Sequence, residues 1–277
     1  MFAHGMEGAS IVGRLQDKVA IVTGAASGIG RAIARRYAVE GASVVIADIN
    51  VGGGEETARM IRDGGATAIF IECNVGDHDA ARTMVERAAS EAGRLDILVN
   101  VAGVGGTGKR VEDIEPDDFR RVIDINLMGP YYTSKYAIPH MRAVGGGAII
   151  HISSVYGIIA APNVAPYAAS KGGLIMLTKQ MAVDYARENI RVNAICPGYV
   201  DTDLGGRRAR MSPEAAATAH AAREAKAAMQ PIGRQAQPDE MAGMAVYLAS
   251  DDASFCSGSI MVVDGGESIL HNIGSYF

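Results

Sequence analysis

Seven short runs rich in β-branched residues alternate along the chain with longer segments of helical periodicity. The runs are KVAIVTG, ASVVIAD, TAIFIEC, RLDILVNVAG, GAIIHISS, IRVNAICPG and SIMVVDGG. They are apolar on both alternating faces, as expected of strands covered on both sides, and helical segments of about a dozen residues or more separate the first six. The alternation predicts a doubly wound α/β fold, with about seven parallel strands flanked by helices in a single domain, residues 1–277.

Two segments fall outside this alternation. Residues 1–14 lack the basic start and apolar stretch of a signal peptide, and we expect a loose N-terminal extension there. Residues 201–237 contain SPEAAATAHAAREAKAAMQ, in which Ser212 suits a helix N-cap and Pro213 the first helical position. Because open α/β sheets bind ligands at the carboxyl ends of their strands, this insertion after the sixth strand is predicted to be a substrate-binding lid.

The composition limits the classes of partner. The net charge of −5 provides no overall positive field for nucleic acid or an anionic membrane, and no apolar run reaches the roughly 18 residues of a membrane span. Cys73, Cys196 and Cys256 are widely spaced and form neither a disulfide framework nor a metal-ligand pattern. We therefore expect a cytoplasmic protein with no bound metal that interacts with neither nucleic acid nor membrane.

A glycine-rich turn, TGAASGIG, follows the first strand and precedes the first helix. Gly24, Gly28 and Gly30 would let the backbone approach a pyrophosphate, while the helix N-terminus supplies partial positive charge. About twenty residues onward, Asp48 ends the second strand, where a carboxylate can accept hydrogen bonds from the adenosine ribose hydroxyls. It would repel the 2′-phosphate of NADP, and the turn has Ser27 but no Arg or Lys to offset that repulsion. The motif predicts NAD as the cofactor; the alternative for Asp48 is a turn-initiating role.

A second glycine-rich stretch, GVGGTGKR at residues 103–110, comes one residue short of a nucleotide-triphosphate loop. Gly103, Gly108 and Lys109 fit the pattern G-x-x-x-x-G-K-[ST], but Arg110 stands where a hydroxyl must ligate Mg²⁺. A guanidinium cannot ligate a cation, and the residues that follow are acidic. A glycine-rich loop after a strand is favoured over an ATPase site.

Two tyrosine–lysine pairs have the spacing of one helical turn. YAASK places Tyr167 and Lys171 at i and i+4, and YYTSK places Tyr131 and Lys135 likewise. An ammonium near a phenol favours the phenolate and lowers the phenol pKa from about 10, as proton transfer at neutral pH requires. Ser154, at the end of the strand-like AIIHISS, precedes the first pair, whereas the second has only a polar helix start before it. This context favours the first pair, although the spacing alone also fits an ordinary helix surface.

Together these motifs resemble the short-chain dehydrogenase/reductase family, in its shorter-subunit type. The similarity runs from about Lys18 to Gly266, nearly the whole chain. Its elements occur in family order: TGAASGIG, Asp48, NVAG at residues 100–103, Asn126 in INLMG, Ser154, YAASK, Pro197 with Gly198, and VDGG. The resemblance implies a Rossmann-type sheet and the nicotinamide-dependent oxidation of an alcohol or reduction of a carbonyl.

The resemblance also implies the catalytic roles. Tyr167 would be the general base in alcohol oxidation and the acid in carbonyl reduction, and Ser154 would donate a hydrogen bond to the substrate oxygen. Lys171 would hold the nicotinamide ribose and lower the pKa of Tyr167. Asn126 would orient a water in a proton relay, which is compatible with its also being a helix-kink residue in the core.

The residues that the resemblance assigns to the cofactor are spread over these motifs. Two positions depart from the family pattern: Asn74 replaces an Asp, which keeps an acceptor for the adenine amino group without the charge, and Val101 replaces a polar residue. Asn100 is expected to stabilise the central sheet as well. The assigned set is Gly24, Ser27, Gly28, Ile29, Gly30, Asp48, Ile49, Asn74, Val75, Asn100, Ala102, Gly103, Tyr167, Lys171, Pro197, Gly198, Val200 and Thr202.

The predicted substrate pocket is mostly apolar. This favours a secondary alcohol or ketone of modest polarity, such as a cyclic compound or a steroid, over a polyanion. Similar enzymes are usually tetramers that pack through the helices carrying Asn126 and Tyr167, so we expect a homotetramer; a helix buried within one subunit is the alternative. The pocket residues are the 103–111 loop, Val155, Tyr156, Ile158, Gly198, Val200 and the 201–237 lid.

Two rival functions share these motifs. An NADPH-dependent 3-oxoacyl-carrier-protein reductase would have the same catalytic residues, but Ser27 and Asp48 argue against an NADPH preference. A dinucleotide-sensing module without turnover would not need Ser154, Tyr167 and Lys171 together. The sequence therefore favours an NAD-dependent alcohol dehydrogenase or carbonyl reductase.

Overall fold

The computed structural model describes residues 13–206 and 211–270, and this range contains one sheet of seven strands. The strands are β1 (Val19–Thr23), β2 (Ser43–Asp48), β3 (Ala68–Glu72), β4 (Ile97–Asn100), β5 (Gly147–Ile152), β6 (Ile190–Pro197) and β7 (Ile260–Val263). Neighbouring strands are all parallel, and their order is β3-β2-β1-β4-β5-β6-β7. Each predicted run contains one of these strands, so the predicted doubly wound parallel sheet is confirmed.

Helices cover both faces of the sheet, as the apolar strands require. The α-helices of the described residues are α1 (Gly28–Val39), α2 (Val51–Asp63), α3 (His78–Ala92), α4 (Pro116–Ile123), α5 (Gly129–Ala143), α6 (Ala165–Tyr185), α7 (Pro213–Ala227) and α8 (Pro238–Ala249). A π-helical segment, residues 124–128, joins α4 to α5 without a break. Such segments are rare, and they often mark functional positions.

The core consists of two apolar layers, one on each face of the sheet, and the central strand β1 contributes to both. Its Ala20 and Val22 pack with α1, α2 and α8, whereas Ile21, between them, packs with α3, α5 and α6. Full burial of one such aliphatic side chain stabilises the fold by about 1.5–3 kcal/mol, so strands apolar on both faces are stable only in this covered arrangement.

The strand order places a crevice at the carboxyl ends of β1 and β4. From β1 the chain builds outward to β2 and β3, then returns to the other side of β1 with β4. The connections after these two central strands run to opposite faces and leave a gap between them, which is where open α/β sheets bind their ligands.

The predicted lid is an insertion whose two ends meet. Val200 forms a parallel β-bridge with Ala236, and α7 lies between them. The predicted cap is confirmed, since Ser212 Oγ accepts a hydrogen bond from Ala215 N at 3.3 Å and Pro213 is the first helical residue. Residues 207–210 of the predicted lid lie outside the described residues.

The predicted N-terminal extension, residues 1–14, lies outside the described residues except for its last two. Arg14 is ion-paired with Glu40 after α1, at 3.2 Å. None of the helices in the described ranges is both long and apolar enough to cross a bilayer. Within those ranges, no three His, Cys, Asp or Glu side chains are grouped as a metal site.

Tyr37 gives a test of the contact between α1 and α8. Its fully buried hydroxyl donates a hydrogen bond to Ala245 O at 2.8 Å. We expect Tyr37→Phe to lower the free energy of unfolding by about 1 kcal/mol, because the ring still fills its site while the hydrogen bond is lost. Urea denaturation at matched protein concentration measures this. Tyr131→Phe, which removes an exposed hydroxyl on α5, is the control; equal stability of the two variants would contradict the prediction.

Candidate active site

The glycine turn after β1 brings backbone segments unusually close together. Gly24 has φ +65°, and a Cβ on it would lie 2.7 Å from the backbone of Ala102. A Cβ on Gly30 would lie 2.2 Å from Gly24 O. Both positions therefore require glycine, and the turn presents the N-terminus of α1 to the crevice.

Asp48, at the end of β2, fixes the segments on either side of it. Its Oδ2 accepts a hydrogen bond from Ala26 N in the glycine turn, and its Oδ1 accepts one from Asn50 N, both at 2.9 Å. The carboxylate therefore makes the contacts of a turn-initiating residue, the alternative role given above, and it also lines the crevice. The two roles are compatible.

Arg31 directly follows the glycine turn and is the cation nearest to it in the sequence. Its guanidinium donates to Ala26 O at 2.5 Å and to Glu56 at 2.7 Å. Its Nε donates to Thr57 Oγ1 at 3.0 Å. The charge of Arg31 is thus paired within α1 and α2, and the side chain does not line the crevice.

The crevice is a cavity of about 450 Å³ that unites nearly all the predicted site residues. Every predicted cofactor or catalytic residue lines it except Asn100 and Asn126. Of the predicted pocket residues, Val155, Tyr156, Ile158 and residues 105–111 do not line it either; the first three lie in and directly after a short 3-10 turn, residues 155–157, beyond Ser154. The predicted residues that do line it are Gly24, Ser27, Gly28, Ile29, Gly30, Asp48, Ile49, Asn74, Val75, Ala102, Gly103, Ser154, Tyr167, Lys171, Pro197, Gly198, Val200 and Thr202.

Ser154, Tyr167 and Lys171 converge from two elements. Ser154 follows β5, while the tyrosine and the lysine stand on the first turns of α6. The Lys171 ammonium is buried, donates to Ile152 O at 2.7 Å, and lies 5.7 Å from the centroid of the Tyr167 ring. Ser153 Oγ donates to Lys171 O at 2.9 Å, which joins the end of β5 to α6. The second predicted pair, Tyr131 and Lys135, lies on α5 away from the cavity.

Burial dominates the protonation of these groups. It raises the pKa of Tyr167 above its usual value, while a hydrogen bond with Ser154 and the charge of Arg223 act in the opposite direction. Burial also lowers the pKa of Lys171 to about 8. The sequence predicted that Lys171 lowers the pKa of Tyr167, and this prediction is wrong, since the pKa is raised. Removing the phenol from water penalises the phenolate more than these contacts favour it.

Asn126 lies in the π-helical segment and acts on the loop after β4. Its Oδ1 accepts from Val104 N at 2.8 Å, and its Nδ2 donates to Val104 O at 2.9 Å. Nδ2 also lies 3.2 Å from Ser170 Oγ on α6. The fully buried amide thus joins the loop to the helix that carries Tyr167, from behind the cavity wall.

Asn100 is part of a buried polar network beneath the cavity. Its Oδ1 accepts from Thr133 Oγ1 at 2.7 Å, and its Nδ2 lies 3.2 Å from His151 Nδ1. Burial lowers the pKa of His151 to about 3, so that imidazole is neutral at physiological pH. The network links β4, β5 and α5, as expected for a residue that stabilises the central sheet.

The loop that nearly matches a nucleotide-triphosphate motif lies at the mouth of the cavity. Gly103 and Val104 line it, whereas Arg110 pairs with Glu112 at 3.1 Å on the exposed side. The predicted lid segment contributes residues that the sequence did not single out: Asp203, Leu204, Gly205, Gly206 and Arg223. Only their place in the predicted lid segment could have indicated them.

Comparisons with known proteins agree with this geometry. A family model described as enoyl-(acyl carrier protein) reductase matches residues 24–268. A cis-4-hydroxycyclohexanecarboxylate dehydrogenase from Sinomonas cyclohexanicum is 44% identical over 90% of this chain and 96% of its own length. A cyclohexanol dehydrogenase from an Acinetobacter species is 37% identical over 91% of this chain and 95% of its own.

A solved structure has the same fold. The short-chain type dehydrogenase/reductase from Mycobacterium marinum superimposes with a TM-score of 0.83 at 36% identity, over 92% of this chain and 97% of that one. The sheet, the motifs in their order and these similarities lead to one assignment: the chain belongs to the short-chain dehydrogenase/reductase family, and it is an oxidoreductase.

Proposed function

We propose that the protein is an NAD(H)-dependent oxidoreductase that interconverts a secondary alcohol and a ketone by hydride transfer. One observation carries the proposal. The cavity that holds Ser154, Tyr167 and Lys171 extends to the glycine turn and to Asp48, so proton-transferring groups and a dinucleotide cradle share one space.

The residues present fit a dinucleotide. Gly24, Ser27 and Gly28 line the cavity at the N-terminus of α1, where backbone N–H groups can meet a pyrophosphate. Asp48 lines the same cavity at the end of β2, in reach of an adenosine ribose. When bound, NAD(H) supplies the hydride acceptor or donor.

The chain's own residues would move the proton and hold the reacting oxygen. In alcohol oxidation, Tyr167 would have to be ionised, favoured by the positive charges of Lys171 and bound NAD⁺, and its phenolate Oη would accept the hydroxyl proton of the substrate; in ketone reduction, the neutral phenol would give its proton to the carbonyl oxygen. Ser154 Oγ donates a hydrogen bond to that oxygen as its negative charge grows. Lys171 holds the ribose next to the reacting carbon, and Asn126 keeps the loop at Val104 and the helix with Tyr167 in register.

A cyclic secondary alcohol is the proposed substrate class. The names of two relatives given above describe the oxidation of cyclohexane-ring alcohols. The cavity beside Tyr167 is lined by small and aliphatic residues such as Val104, Gly198, Val200 and Leu204, which suits a compact ring. Incubation of cyclohexanol and 4-hydroxycyclohexanecarboxylate with NAD⁺, followed by NADH absorbance, tests this class.

An NADPH-dependent 3-oxoacyl-carrier-protein reductase is the alternative; the matching family model is described as an enoyl-(acyl carrier protein) reductase, which also takes a carrier-bound acyl group. A preference for a 3-oxoacyl thioester with NADPH over a ring ketone with NADH would favour it. A dinucleotide-binding module without turnover is the other alternative, and measurable turnover of any alcohol or ketone would exclude it.

Replacing Tyr167 by Phe tests the proposed proton transfer. We expect kcat to fall by about 10²–10⁴-fold, because the general acid–base group is removed while the ring remains. Dissociation constants for NADH, measured by fluorescence titration, should change little. Tyr131→Phe, in the second tyrosine–lysine pair, is the control and should keep full activity; a Tyr167→Phe enzyme with unchanged turnover would contradict the assignment.

The charge at Asp48 tests the cofactor preference. Asp48→Asn keeps an acceptor for the glycine turn but removes the negative charge, so we expect the NADP⁺ to NAD⁺ ratio of kcat/KM to rise by about tenfold or more. Glu72→Gln is the matched control, since Glu72 is the register partner of Asp48 on β3, is exposed and lies outside the cavity lining. Wild-type enzyme that uses NADPH as well as NADH would show that the role of Asp48 is misassigned.

We also propose a cytoplasmic homotetramer. Cys73, Cys196 and Cys256 are all free thiols, which is compatible with a reducing compartment. On α6, Met176 and Val183 are 62% and 77% exposed and lie two helical turns apart on one face. Such a face is stabilised when a second copy covers it.

A charge on that face tests the assembly. We expect wild-type protein to have a mass of about four times 28.9 kDa by light scattering, and Val183→Asp to have a lower mass, because a carboxylate would be buried at the interface. Val39→Asp, on the exposed side of α1, is the control. A monomeric wild-type protein would refute the tetramer.

A further inference from the structure

Arg223, on the lid helix α7, places a guanidinium in the cavity wall. Its Nη2 donates to Val200 O at 2.8 Å. Its Nε is shielded from solvent and has no hydrogen-bond partner among the described residues. Buried charged donors are normally paired, so the described residues leave this guanidinium short of acceptors, and an anionic group that enters the cavity can pair with its charge.

The guanidinium is held against the end of the sheet. Its Cζ lies 6.0 Å from the centroid of the Tyr199 ring, in the loop after β6. The Tyr199 hydroxyl lies 2.9 Å from the Tyr156 hydroxyl, which in turn donates to Glu267 Oε1 at 3.3 Å. Arg223 is thus fixed by Val200 and Tyr199 although its own helix belongs to the lid.

The charges around the cavity favour one kind of ligand group. Among the described lining residues, Lys171 is the other cationic side chain, and its ammonium donates to Ile152 O; Asp48 and Asp203 are the anionic ones. A guanidinium can bind one carboxylate through two parallel N–H bonds, whereas a polyanion would need further cations and would be repelled by the two carboxylates of the lining. Arg223 is also close enough to the reacting centre for its charge to act on Tyr167.

We propose that Arg223 binds a carboxylate of the substrate, so that the preferred substrate is a secondary alcohol, or its ketone, with one carboxylate remote from the carbinol carbon. This inference rests on the proposed function and narrows its substrate class. With the carboxylate at Arg223 and the hydroxyl between Ser154 and Tyr167, the substrate is held at two points, which orients the carbinol carbon.

A matched pair of substrates tests the proposal. We expect wild-type enzyme to favour 4-hydroxycyclohexanecarboxylate over its methyl ester, and Arg223→Met to lose about tenfold or more in kcat/KM for the acid, chiefly through KM, with the ester little changed. Arg223→Lys, which keeps the charge but not the two-pronged geometry, should recover part of the loss. Lys226→Met, an exposed cation one turn further along α7, is the control and should leave the preference intact.

Three results would overturn the inference. One is an equal loss on acid and ester in Arg223→Met; another is a wild-type enzyme that oxidises the ester as well as the acid. The third is a larger NADH dissociation constant in Arg223→Met with no change in acid preference. That result would assign the guanidinium to a cofactor phosphate instead.

A binding measurement separates this inference from the proposed function. Cyclohexanecarboxylate, which has no hydroxyl to oxidise, should bind wild-type protein in calorimetry and bind Arg223→Met at least about tenfold more weakly. If neither alcohol is turned over but this difference is found, the proposed function fails and the carboxylate site stands. If ring alcohols are oxidised and the two proteins bind the acid equally, the carboxylate site fails and the proposed function stands.

Discussion

The site depends on the close approach of two backbone segments, the glycine turn after β1 and the turn after β4. With no side chain at Gly24, its backbone reaches that of Ala102, and Thr23 Oγ1 accepts hydrogen bonds from Val101 N and Ala102 N at 3.1 and 3.2 Å. The two central strands therefore end in one compact edge. The crevice opens directly above it, with the α1 N-terminus on one side and the loop at Val104 on the other. A larger residue at Gly24 would separate the segments and deform both halves of the cavity.

The groups that we propose to react depend on α6 in the same way. Tyr167, Ser170 and Lys171 stand within its first two turns; Ser170 Oγ lies within hydrogen-bond distance of Asn126 Nδ2, and Lys171 donates to the end of β5. The helix therefore sets their mutual positions as a rigid unit. Burial of the phenol raises the pKa of Tyr167, while Ser154 and Arg223, both in the cavity lining, act in the opposite direction. Lys171 is better described as an anchored cation, because Ile152 O takes one of its donors.

The sequence was sufficient for the features that local rules determine. Apolar runs and glycine-closed helices predicted the seven strands, and Ser212 with Pro213 predicted the start of α7. The motifs identified most of the cavity lining, because parallel strands bring their carboxyl ends to one edge. The features that the sequence did not predict depend on contacts between distant segments. Arg223 is one of several charged residues in its helix, and only the folded lid turns it inward. Likewise, nothing in INLMG shows that Asn126 holds both backbone atoms of Val104 rather than facing the cavity.

The bridge between Val200 and Ala236 has a consequence for how such a chain can diversify. Asp201 N donates to Ala236 O at 2.8 Å and Ala236 N to Tyr199 O at 2.9 Å, so the insertion leaves and rejoins the scaffold at nearly one point. Whatever lies between those ends can change in length or composition without shifting a strand. The lid segment can therefore be replaced as a unit. Transplanting it between homologues offers a way to alter what the cavity recognises while the chemical apparatus beneath it is retained.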